Sequence, residues 1–199
     1  MKIYDISQEV FSCCVYPGDP EPQMQLLARM DKGDKYNLTA FSMCAHNGTH
    51  IDAPRHFIAE GEDIAALPLE RTVGEAYVCP FDGEIDAEAA QTILQKAAGI
   101  KRILIKGSGV LVISGARTFA EAGIKLVGSE SQSVGDENAP MAVHLELLRA
   151  GVALLEGVRL ESAPEGRYFL CAQPLKLAGA DGAPCRAILI QKEEGELLW

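Results

Sequence analysis

IDAEAAQTILQKAAGIKRILIKG, residues 85–107, carries a helix pattern followed directly by a strand pattern. Over 85–99 the apolar residues fall on one helical face, Asp86 is placed to cap the N-terminus, and Gly99 is placed to stop the helix. KRILIKG (101–107) is a short apolar run bounded by charge and glycine, the pattern of a buried strand. GSG at 107–109 reads as a tight turn, because the longer glycine patterns that cradle phosphate are missing.

The same alternation continues downstream. ARTFAEAG (116–123) reads as a short helix, IKLVGSE (124–130) as a strand, MAVHLELLRAG (141–151) as a helix and VALLEGVRL (152–160) as a strand. RYFLCAQPLKL (167–177) and CRAILIQKE (185–193) read as strands around a GADGAP turn. Upstream, KIYDISQEV opens as a strand, 15–22 is a proline-rich loop, and QMQLLARM fits either a strand or a helix. Residues 36–54 read as extended, since Gly48 and Pro54 oppose a helix. Residues 58–75 read as a loop with one helical turn, and EAYVCPF as a strand. Helices and strands mix throughout, which predicts a single α/β domain over residues 1–199.

At 199 residues and 48% hydrophobic content the chain can bury a core, which excludes a disordered chain. Its net charge of −10 disfavours nucleic acid and anionic membrane as partners. A small-molecule substrate remains open to it, even an anionic one, because a bound cation reverses the local field. The start lacks an apolar signal-peptide core, and no run approaches the ~18 apolar residues of a membrane helix, so a cytoplasmic protein is expected. Its six cysteines form no CxxC pair and are expected to be reduced and mostly buried.

The chemistry concentrates in HNGTHIDAPRHF, 46–57, which contains three of the four histidines. His46, His50, Asp52 and His56 are separated by four, two and four residues. All separations are even, so an extended chain would project the four side chains to one side. A helix, at about 100° per residue, would turn Asp52 away from His50. Imidazoles with a carboxylate are the usual ligands of catalytic zinc, commonly three from the protein with one position open to water. Zinc lowers the pKa of bound water to about 7 and so provides hydroxide as a nucleophile. Such oxygen and nitrogen donors also suit manganese or another divalent ion. Gly48 would let the backbone approach the ion, and Thr49, on the opposite face, would help to order the turn. The fourth histidine, His144, precedes Glu156 by twelve residues, and Glu156 lies in an otherwise apolar strand. The pair either converges on a second ion beside Asp52 or is a surface histidine and a strand-edge glutamate; spacing leaves both open.

HNGTHIDAPRHF resembles the HxGTHxDxPxHF signature of the cyclase-like metal-dependent hydrolases, a family that includes bacterial kynurenine formamidases and isatin hydrolases. The resemblance extends to DIS and YPGDP near the start, ILIK, HLELLRAGVALLEG, and PLKLAGADGAPCRAILI near the end. It implies a mixed-sheet domain of the swivelling β/β/α type, assembled as homodimers or homotetramers. It implies that His46, His50 and Asp52 bind one zinc, and that Asp52 bridges to a second held by His144 and Glu156. His56 matches the catalytic general acid/base, and Tyr16 stands where formamidases have a substrate-pocket tryptophan. By resemblance the reaction is arylformamidase chemistry, N-formylkynurenine to kynurenine and formate in tryptophan catabolism. His56 would take a proton from the attacking water and return it to the departing nitrogen, a role suited to an imidazole, which titrates near neutral pH.

The sequence departs from the family pattern in places, and two of the departures, Tyr16 for the tryptophan and a missing loop after ILIK, concern the substrate pocket. The aromatic-rich loop that the family carries after ILIK is replaced by GSGVLVISGAR, and its Asp-containing stretch after the next strand by GSESQSV with Glu130 and Gln132. Hydrolysis of a cyclic amide or lactone, as in isatin hydrolases, is therefore an alternative, as is a non-catalytic metal-binding protein. Phe41 and Phe57 read as core residues first and pocket walls second.

Overall fold

The computed structural model describes residues 1–191. The chain opens with strand β1 (Lys2–Asp5), and β2 (Gln23–Ala28) and β3 (Leu38–Ser42) then form a separate two-stranded hairpin. β4 (His50–Asp52) and β5 (Val73–Pro80) follow, and β6 (Gly83–Ile85) leads into α1 (Ala87–Ala97). β7 (Arg102–Lys106) and β8 (Gly109–Leu111) precede α2 (Ile113–Glu121), and β9 (Leu126–Ser129) precedes α3 (Met141–Arg149). β10 (Ala153–Glu156), β11 (Gly166–Cys171), β12 (Gly182–Pro184) and β13 (Ile188–Gln191) complete the described chain.

Nine strands make one mixed sheet in the order β1-β13-β11-β5-β7-β9-β10-β4-β12. β5, β7, β9 and β10 run parallel at its centre, with each helix lying between successive members of that set in the chain. Both faces of the central strands are buried. In β7, Ile103 and Ile105 pack under the helices with Ile93 of α1, Phe119 of α2 and Leu147 of α3, while Leu104 points into a second cluster. That second cluster joins Tyr4 of β1 and Leu189 of β13 to Ile51 of β4 and Ala183 of β12. These strands lie at opposite ends of the strand order, so the sheet must curl around the cluster. Burial on both faces explains why the parallel strands read as unbroken apolar runs.

The α/β reading holds, and the differences lie at element ends and in short strands. QMQLLARM resolves as β2. The extended reading of 36–54 is broken between β3 and β4 by a turn, where the Asn47 side chain accepts from the Cys44 amide at 2.7 Å and Gly48 takes φ 62°. Asp86 caps α1 as expected, accepting from Ala89 N at 2.9 Å, but Ala98 rather than Gly99 takes the left-handed C-cap. The expected strand over 167–177 ends at Cys171, and the opening strand ends at Asp5. The turn is confined to Gly107 and Ser108, held by Asp82 Oδ1 accepting from the Ser108 amide at 2.8 Å, and Gly109, expected in the turn, already begins β8. Of the expected strand over 185–193, residues 192–193 lie outside the described residues. The six cysteines are free, and only Cys79 is fully buried, so the expectation of mostly buried thiols is corrected. No helix among the described residues is long and apolar enough to cross a membrane.

Candidate metal centre

Strand register builds the site. β10 lies antiparallel to β4, with Glu156 opposite His50, Leu155 opposite Ile51 and Leu154 opposite Asp52. Ile51 and Leu155 belong to the inner cluster, so alternation sends His50, Asp52 and Glu156 to the helix-covered face. His144 reaches the same face from α3, and all four side chains are buried. His46 enters from the turn before β4, and His56 from the short 3-10 helix Pro54–His56 that Pro54 starts. Even spacing therefore aligns only His50 and Asp52 by strand alternation; turns on either side supply the other two histidines.

The rings are oriented by backbone carbonyls. Nδ1 of His50 donates to the Gly48 carbonyl at 2.9 Å, and Nδ1 of His144 donates to the Pro140 carbonyl at 2.9 Å. Both Nε2 atoms then face carboxylates. His50 Nε2 lies 3.4 Å from Asp52 Oδ1 and 3.4 Å from Glu156 Oε2. His144 Nε2 lies 3.1 Å from Glu156 Oε1 and 3.6 Å from Asp52 Oδ2. His46 Nδ1 stands 2.9 Å from Asp52 Oδ1. Gly48 thus serves the site by turning His50, and Thr49 ties β4 to the end of β10, donating to the Gly157 carbonyl at 2.8 Å.

Imidazole lone pairs directed at carboxylate oxygens require a cation between them, either a proton or a metal. Burial opposes charge on His50, yet the carboxylates of Asp52 and Glu156 outweigh it and raise its pKa to about 10. Burial likewise opposes charge on His46 and His144, and Asp52 and Glu156 respectively lead the groups that raise them. Burial pushes Asp52 up, but His46 and His50 hold it well below the usual carboxylate range. His50 Nε2 and Asp52 Oδ2 are buried without a hydrogen-bond partner. Such orphans cost about 1–3 kcal/mol each, and a divalent ion would satisfy both. Two groups have donor atoms all within 4.8 Å of one another: His46, Asp52 and His56, and His50, Asp52 and Glu156. Asp52 belongs to both, so the residues fit a divalent metal at this carboxylate; His56 stands near enough to share it, and its separate role in proton transfer comes from the signature resemblance.

The donors floor a cavity of about 360 Å³ lined also by Tyr16, Phe57, Gln132 and Pro140. Phe57 packs 4.4 Å from the His56 ring and 4.9 Å from the His144 ring, between centroids. Phe41, by contrast, is 57% exposed on the hairpin, so the core reading fails for it. Tyr16 donates its hydroxyl to the Glu137 carbonyl. Glu130 is structural, accepting from the Gly107 amide at 2.7 Å and the Leu160 amide at 2.8 Å. Gln132 lines the cavity with both amide atoms buried and unpartnered. Asp181 was missed by the sequence reading, which placed it only in a turn; its Oδ2 lies 3.0 Å from His46 Nε2 and 3.2 Å from His56 Nδ1. Nothing in a GADGAP run distinguishes a site carboxylate from a turn former.

The chain belongs to the "Putative cyclase" family, whose pattern it matches over residues 4–136. It is 34% identical over 202 residues to a kynurenine formamidase of Erythrobacter litoralis, across 94% of this chain and 93% of that one. A solved structure described as a "Potential Metal-Dependent Hydrolase With Cyclase Activity" superposes with TM-score 0.81 at 28% identity, over 96% of this chain and 98% of that chain. Isatin hydrolase A from Labrenzia aggregata shares the fold, with TM-score 0.82 at 21% identity over 96% of this chain and 94% of its own.

Proposed function

We propose that the protein is a metal-dependent hydrolase of arylformamidase type that cleaves the formyl C–N bond of an aryl formamide such as N-formylkynurenine. The observation that carries this reading is the convergence of buried imidazoles and carboxylates on Asp52 at the floor of a small-molecule-sized cavity. Kinship with a kynurenine formamidase along nearly the whole chain supports the substrate class. His46, His50, Asp52, His144 and Glu156 would hold one or two divalent ions, with zinc first and manganese next by donor chemistry. When bound, the ion supplies Lewis acidity that polarises a carbonyl and acidifies water. His56 accepts a proton from the attacking water and returns it to the nitrogen as the C–N bond breaks, giving formate and the free amine. Phe57 and Pro140 offer apolar walls to an aromatic ring, Tyr16 lines the same cavity, and Gln132 offers a free donor and a free acceptor to a polar substituent.

The test is elemental analysis, followed by hydrolysis of N-formylkynurenine, isatin and a simple lactone by metal-loaded and chelated protein. About two ions per chain with chelator-sensitive formamide turnover is the expected result. Metal with turnover of isatin or the lactone alone would replace the substrate class, and metal without any turnover would favour a binding protein. Failure to bind metal at any loading would overturn the proposal.

The active assembly is proposed to be a homodimer. On the β2–β3 hairpin the pairing shifts register between Leu26 and Ala28, and Leu26 and Leu27 are both 52% exposed. An isolated two-stranded ribbon is marginal in water, and a second copy of the chain would cover this one.

A further inference from the structure

We propose that Asp181 is a positioning residue for the reaction, its one carboxylate oxygen fixing the tautomer and the direction of both His46 and His56. The proposal rests on the functional reading above for what His56 does, but its geometry stands independently. Asp181 Oδ2 lies 3.0 Å from His46 Nε2 and 3.2 Å from His56 Nδ1, and the two rings stack with centroids 4.0 Å apart and 31° between planes. A carboxylate only accepts, so both facing ring nitrogens donate to it. His46 faces a carboxylate at each nitrogen, Nδ1 lying 2.9 Å from Asp52 Oδ1, so Asp181 would hold the proton on Nε2 once an ion on Asp52 takes the Nδ1 lone pair, and His56 keeps Nε2 for the cavity.

The position of the carboxylate is itself enforced by the fold. Asp181 immediately precedes β12, whose Gly182 pairs with Asp52 in β4, and the Asp181 carbonyl accepts from Ala53 N at 2.9 Å. The next residue must be small: a Cβ on Gly182 would stand 2.7 Å from His46 Cε1. Asp181 is 45% exposed in its side chain, so it can carry its charge at little desolvation cost. One residue outside the metal-ligand set thereby links a ligand ring to the proton-transfer ring. Outer-shell partners of this kind commonly govern affinity or activity by about 10–100-fold.

The decisive measurement is nitrogen NMR of zinc-loaded protein labelled in its histidines. His46 should carry its proton on Nε2 and neutral His56 on Nδ1; the opposite tautomer at either ring overturns the proposal on wild-type protein alone. Asp181→Asn keeps the backbone bond to Ala53 and should mix the His56 tautomers, weaken zinc in chelator competition by about 10–100-fold, and lower kcat by about as much with KM nearly unchanged. Asp181→Glu, which keeps the charge, should recover part of kcat. Wild-type tautomers and wild-type zinc affinity in Asp181→Asn would overturn the assignment. Absence of formamide hydrolysis by loaded wild-type enzyme would strike the functional reading alone, since the ring-nitrogen signals would still decide the role of Asp181.

Discussion

Asp52 is fully buried, in reach of His46, His50 and His144, and common to both donor groups. Asp52→Asn keeps its shape while removing the charge, so it is expected to abolish metal retention and turnover together, read by elemental analysis beside the activity assay. His56→Ala should separate the two properties: metal content stays, and kcat falls by about 10²–10⁴-fold. Full activity in metal-loaded His56→Ala would remove it from the proton-transfer role. The metal-free site also makes a pH prediction. His50 is raised from an ordinary 6.5 to about 10 against the cost of burial, because Asp52 and Glu156 face it. The folded pKa lies above the unfolded one, so its stabilising contribution is complete below about 6.5 and is lost as pH rises through about 10. Chelated protein should therefore melt at lower temperature as pH rises from 7 to 10, and loading metal near pH 7 should release protons, measurable by calorimetry in buffers of different ionisation enthalpy.

Among the elements, β4 is the short one on which the site depends. Three residues long, it is held between β10 and β12, and its alternation separates Ile51 from His50 and Asp52. The end of β10 is fixed by Gly157, at φ 67°, where a Cβ would stand 2.3 Å from the Gly48 carbonyl oxygen. Gly157→Ala must therefore strain the backbone and push on the carbonyl that orients His50. An unfolding free energy lower by about 1–3 kcal/mol is expected from denaturant titration, with weakened metal retention. Unchanged stability would show that the glycine is dispensable. The long elements were legible beforehand because periodicity and caps are local: α1 with Asp86, α3 and the central parallel strands lie close to where the pattern put them. β6, β8 and β12 were not, since three-residue strands carry too little alternation to read and exist only because a partner strand pairs with them.

For the whole molecule, the apolar hairpin contrasts with an otherwise acidic chain of net charge −10. If two copies cover one another's hairpins, charging it should dissociate them: Leu26→Glu with Leu27→Glu is expected to sediment as a monomer where the unaltered protein sediments as a dimer. A monomer in both cases would leave the hairpin without this role. The sequence by itself determined the α/β class, the donor types and the segment in which most of them sit, because helix caps, apolar runs and closely spaced histidines are properties of neighbouring residues. Only the tertiary structure decided that Glu156 stands opposite His50, that His144 closes over them from α3, and that Asp181 bridges His46 and His56 from the far end of the chain. Those facts are matters of strand register and sheet curl, and they are set by which distant strands bury their apolar faces together, a choice that no local pattern encodes.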